Sequence, residues 1–176
     1  VEGSQAGGHL GFEQEEVEQG NAKPLLTILK EVVKEAEDIP VFAAGSVFDS
    51  KDIRKCLDAG ARGVQIATGF KDVILSAKEE DVTILKSPVG MPGRGLKTPL
   101  IQKVKDGLRF GPERCISCIH TCEPKTTLYC INNALIQAFY GNKEEGLFFC
   151  GGNVGRVNSM TTVKALMEEL TSEWRK

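Results

Sequence analysis

Residues 5 to 11 read QAGGHLG and hold His9, one of two histidines in a chain of 176 residues. Two glycines before a histidine strip side chains from the backbone and open angles that other residues avoid. A flat ring system can then rest on the main chain, beside an imidazole whose near-neutral pKa suits proton transfer. A capping or core histidine is the competing reading, and the flanking glycines favour chemistry. A second reactive group is Cys115-x2-Cys118-x3-Cys122-x7-Cys130, with His120 inside it. Thiolates this dense can wrap an iron–sulfur cluster, or hold zinc with His120 as a substitute ligand. The same spacing carries Cys130 into an apolar helical stretch with Ile131 and Ala134, where a reduced cysteine acts as a small hydrophobe. Cys56 and Cys150 read as packing residues. Arg94, between Gly93 and Gly95, is placed to meet a substrate anion or a cofactor, or to stay a solvated loop charge.

These groups need elements to position them. PLLTILKEVVKEAE (24–37) sets Leu25, Ile28, Leu29, Val32, Val33 and Ala36 on one helical face, with Pro24 in the first turn. IPVFAAGS (39–46) and GVQIAT (63–68) read as buried parallel strands around a helix that Asp49 or Ser50 caps and Gly60 stops. Val1-Glu2-Gly3 reads as the end of an earlier strand. VTILKSP (82–88) reads as a further strand or an extended connection, and 89–111 as loop plus a short helix near 101–106. Helices are expected over about 127–140 and at the C-terminus, where Val163, Leu166, Met167, Leu170 and Trp174 share a face.

In a parallel α/β array, strand ends meet on one rim, and the turns beyond them expose N–H groups able to hold phosphate. Ala44-Gly45-Ser46 and Ala67-Thr68-Gly69 are small enough for that approach, with Ser46 and Thr68 adding hydroxyls. Either turn alone would serve helix packing equally well. Both together, beside the glycine-rich stretch at 7–8, point to a cofactor.

Composition excludes several classes. The chain is 41% hydrophobic and 26% charged with formal net charge −2, which leaves no basic footprint for nucleic acid or a membrane surface. No apolar run approaches the ~20 residues of a spanning helix. Clustered cysteines and an acidic, glycine-rich start suit reduced thiols and a cytoplasmic setting.

QAGGHLG, PVFAAGS and GVQIAT together resemble the flavin-dependent nitronate monooxygenases, long called 2-nitropropane dioxygenases. Their relatives are the flavin-dependent enoyl-acyl-carrier-protein reductases. SPVGMPGRGL (87–96) and CEPKTTLYCINNAL (122–135) extend the likeness over nearly the whole chain. The resemblance implies a TIM (βα) barrel holding FMN, with His9 as base or substrate-orienting residue. It implies that Ala44, Gly45, Ser46, Ala67 and Thr68 hold the phosphate, while Ala6, Gly7 and Gly8 border the flavin. Ser46 departs from the family's usual second glycine, and Ala67 and Gly69 from its glycine and arginine. A barrel takes ~250 residues, so the expectation is an α/β partial barrel, its last three strands in 1–88. Residues 89–176 would form a mainly helical region, a loop, the Cys-rich segment and C-terminal helices, packing on the barrel. The expected function is FMN-dependent oxidation of alkyl nitronates with O2. The alternatives are an enoyl-thioester reductase, or an inactive half-barrel or metal-binding module. A small-molecule substrate and a second chain supplying the missing half are the expected partners.

Overall fold

The computed structural model describes residues 1–65 and 71–174. In chain order it contains β1 (Gly8–His9), α1 (Gln14–Glu18), α2 (Leu25–Glu35), β2 (Phe42–Ala44), α3 (Ser50–Asp58) and β3 (Gly63–Gln65). There follow α4 (Lys71–Ser76), β4 (Val82–Lys86), β5 (Pro92–Leu96), α5 (Pro99–Lys105), α6 (Ile131–Phe139) and α7 (Val163–Leu170). Single 3-10 turns lie at 79–81, 154–156 and 172–174.

Two sheets organise these elements into an α/β arrangement that does not close into a barrel among the described residues. In the first, β2 and β3 run parallel, with Phe42, Ala43 and Ala44 opposite Gly63, Val64 and Gln65. On the other side of β2, Glu2 bridges Ala44 in parallel. The Gly3 N–H donates to the Ala44 carbonyl, and the Ala44 N–H to the Val1 carbonyl, both at 2.8 Å. Three parallel segments therefore lie side by side, β2 central. Ala43 is fully buried beneath Leu25 and Leu29 of α2 and Cys56 of α3. A small residue there lets two helices settle on one short strand. The Asp49 carboxylate caps α3 by accepting from the Asp52 N–H at 3.0 Å, an arrangement that stabilises a helix by about 1 kcal/mol. Gly60 ends the helix region at φ +98°, and a Cβ there would stand 2.8 Å from Val33 of α2.

The second sheet is antiparallel, in the order β1-β5-β4. The sequence predicts loop at 92–96, and the structure corrects this: PGRGL is a strand and the centre of its sheet. Its glycines are poor strand formers, but they admit a neighbour. A Cβ on Gly95 would lie 2.6 Å from the Phe148 carbonyl oxygen, and the Leu96 N–H donates to that oxygen at 2.8 Å. Residues 147–150 thus run against β5, with Leu147, Phe148 and Cys150 buried.

The main core joins Leu85, Leu100, Ile101, Tyr129, Ile131, Ala134 and Leu147. The Tyr129 hydroxyl donates to the Lys86 carbonyl at 3.3 Å, and burial raises its pKa. α7 departs from expectation: Leu170 is buried, whereas Val163 and Met167 are exposed. Among the described residues no helix is long and apolar enough to cross a membrane.

Candidate functional site

His9 ends the short strand β1, opposite Gly93 of β5. Its Nε2 lies 2.7 Å from the hydroxyl oxygen of Ser87, which is buried in the turn between β4 and β5. The imidazole and the Phe149 ring meet edge to face, with ring centroids 5.2 Å apart. Gly93 makes room for this pairing, because a Cβ there would stand 3.1 Å from the Phe149 ring. Burial lowers the His9 pKa below its ordinary value of 6.5, so the neutral ring is favoured near pH 7.

The two glycines before His9 play different parts. At Gly7 a Cβ would lie 2.6 Å from the Cys150 carbonyl carbon and 2.8 Å from the Gly151 nitrogen, so the chain itself fills that clearance. At Gly8, with φ +92°, nothing lies within 4 Å of the Cβ position. The open approach to the backbone is at Gly8.

Gly45 and Ser46 form the turn after β2, both with positive φ, +69° and +60°. A Cβ on Gly45 would sit 2.7 Å from the Ala6 Cβ and 2.9 Å from the Gly3 carbonyl oxygen. The turns after the first two parallel segments are therefore in contact, and Ala6, Ala44, Gly45 and Ser46 come together. Ala67 and Thr68 lie outside the described residues. The start of α3 is already occupied by the Asp49 carboxylate. The Asp52 N–H holds its pKa low, with Arg156 assisting. The Arg156 guanidinium reaches Asp49 at 2.8 Å and stacks 4.0 Å over the Phe48 ring.

Arg94 is buried, and not in a solvated loop. Its Nη2 donates to the Ser4 carbonyl at 2.7 Å, and its Nε is buried without a partner. No carboxylate pairs with it among the described residues. Strand alternation places it on the sheet face opposite His9, toward the turn after the first parallel segment. Cys150 lies beside it; burial pushes that thiol up to about 12, against the pull of the Arg94 charge. Gly152 donates its N–H to the Gln5 carbonyl at 2.9 Å, which ties 151–153 to the same turn.

The metal expectation is corrected. Among the described residues no three His, Cys, Asp or Glu side chains are placed to hold a metal. Cys115 and Cys118 are exposed, and Cys122 and Cys130 are partly buried. The Cys115 sulfur accepts from the Ser117 N–H at 3.3 Å. Cys130 is the N-cap residue of α6, and its N–H donates to the Phe110 carbonyl at 3.0 Å. Spacing alone did not bring these thiols together. Conversely, Ser87 and Phe149 were not singled out from the sequence: a Ser-Pro turn and an apolar run carry no catalytic signature.

The nitronate monooxygenase family profile matches residues 1–173. A probable nitronate monooxygenase of Staphylococcus saprophyticus is 31% identical over 120 residues, 60% of this chain and 33% of that protein. Its counterpart in Staphylococcus aureus strain Newman is 30% identical over 116 residues, 59% of this chain and 32% of that protein. Among solved structures, FabK from Thermotoga maritima superposes with TM-score 0.72 at 22% identity, covering 99% of this chain and 53% of that one. Nitroalkane oxidase from Streptomyces ansochromogenes gives 0.62 at 23%, covering 99% and 52%. The match spans about a third of the curated relatives and about half of the structural neighbours. Over nearly its whole length, this chain belongs to the nitronate monooxygenase family.

Proposed function

We propose that this chain carries the histidine and part of the cofactor cradle of an FMN-dependent oxidoreductase that oxidises alkyl nitronates with O2. The observation that carries the reading is the meeting of the 3–8 turn, which leads into His9, with the 45–46 turn at the ends of parallel segments. The residues present fit FMN. Gly8 leaves the backbone open, and Arg94 offers a buried cation with an unpartnered Nε. When bound, FMN would supply the redox centre for electron transfer from substrate to O2. Ala44, Gly45 and Ser46 would hold its phosphate with Ala67 and Thr68, while the 6–8 backbone would border its ring through the open side at Gly8, the side at Gly7 being filled by residues 150–151. His9 orients the nitro group or manages the proton on the reacting carbon. In this reading the parallel segments are the last strands of a βα barrel in the cytoplasm, completed by the remaining length that relatives possess or by a second chain.

The test is the visible spectrum of the purified protein, with mass analysis of what denaturation releases, followed by turnover. Released FMN with nitronate-dependent O2 uptake supports the proposal. NAD(P)H-dependent reduction of an enoyl thioester, with no O2 uptake on nitronates, would replace it with the reductase reading. A colourless protein that FMN does not reconstitute, even with the rest of the barrel supplied, would sink both.

A further inference from the structure

We propose that Ser87 is a positioning residue that fixes neutral His9 as its Nδ1–H tautomer, so that His9 meets substrate as a hydrogen-bond donor. A serine hydroxyl has a single hydrogen to donate. Ser87 is buried, and its oxygen has two neighbours: the Val89 N–H at 3.4 Å and His9 Nε2 at 2.7 Å. Val89 brings a donor, so the hydroxyl accepts there. Its own proton then has His9 Nε2 as the sole acceptor among the described residues. A nitrogen that accepts is unprotonated, and the neutral ring carries its hydrogen on Nδ1.

The hydroxyl is itself held in place. Ser87 donates its N–H to the Met91 carbonyl at 3.4 Å and accepts from the Gly90 N–H at 3.1 Å, the bonds of a tight β4–β5 turn. Phe149, seated against Gly93, packs on the ring as well. A His9 locked this way carries N–H, not a lone pair, at Nδ1, the nitrogen not engaged by Ser87, which suits a negatively charged oxygen. This donor role rests on the function proposed above; the tautomer does not.

With two histidines in the chain, long-range proton–nitrogen NMR of histidine-labelled protein above the His9 titration reads the tautomer directly. The expected result is a protonated Nδ1 and a bare, hydrogen-bonded Nε2 for His9. Ser87→Ala should shift the ring toward Nε2–H, and Ser87→Thr should restore the original pattern. A protonated Nε2 in the unsubstituted protein, or an unchanged pattern in Ser87→Ala, overturns the proposal. If Ser87→Ala fails to fold, the unsubstituted spectrum alone decides. In the FMN-loaded full-length enzyme Ser87→Ala should lower kcat roughly 10-fold with KM little changed. Nδ1–H together with undiminished turnover in His9→Ala would uphold the tautomer and overturn the donor role.

Discussion

Among the described residues, Arg94 holds a positive charge in the interior with one committed hydrogen bond and no carboxylate beside it. An unpaired buried charge costs stability, so the site makes most sense with an anionic group nearby. Arg94→Met should change the unfolding free energy of the cofactor-free chain by less than about 1 kcal/mol, since relieved desolvation offsets the lost bond. The same change should weaken FMN retention at least about 10-fold in a fluorescence titration, one lost charge-assisted hydrogen bond. His9 titrates below 6.5 because burial disfavours its charged form. Its contribution to folding is therefore fully present above about pH 6.5 and is lost as pH falls through the lowered value, a trend that chemical unfolding across that window would show. His9→Ala in the loaded enzyme should depress turnover roughly 10²–10⁴-fold. Thiol alkylation separates the cysteines: Cys115 and Cys118 should react quickly in the native chain, without protection by added zinc. Buried Cys56 and Cys150 should wait for unfolding.

Among the elements, β5 shows most clearly how local preference yields to packing. Nothing in PGRGL favours a strand, yet close approach by β1, β4 and residues 147–149 requires glycine at 93 and 95. That reason is invisible along the chain because, β4 aside, the partners lie more than 50 residues away on one side and 80 on the other. The helices α2 and α3 were legible, since Leu25, Leu29, Ile53 and Cys56 recur at helical spacing and Asp49 caps the second. α7 shows the opposite case: its periodicity is helical, but neighbours cover only part of the stripe. The positive-φ turns give a comparison. Gly45→Ala puts a methyl against Ala6 and Gly3, and should cost about 2 kcal/mol or more in urea unfolding. Gly8→Ala meets no neighbour and should cost only the backbone strain, about 1 kcal/mol.

At the scale of the molecule, the parallel sheet leaves a β2 side chain uncovered among the described residues. Phe42 is 55% exposed although it lies in the central strand of three, resting on Gly63. An apolar ring on an open sheet face favours association. The isolated chain should show concentration-dependent self-association by sedimentation, and Phe42→Asp should reduce it. Sequence alone determined what neighbouring residues decide: helices with their caps and stops, parallel β2 and β3, small residues at their ends, and the motif set that carries the family. Tertiary structure decided what depends on distant partners. It made a strand of PGRGL, brought Ser87 and Phe149 to His9, buried Arg94, and left the four clustered cysteines apart. Periodicity and capping are properties of a few consecutive residues, whereas a hydrogen bond across 78 positions, such as His9 to Ser87, exists only once the chain has closed on itself.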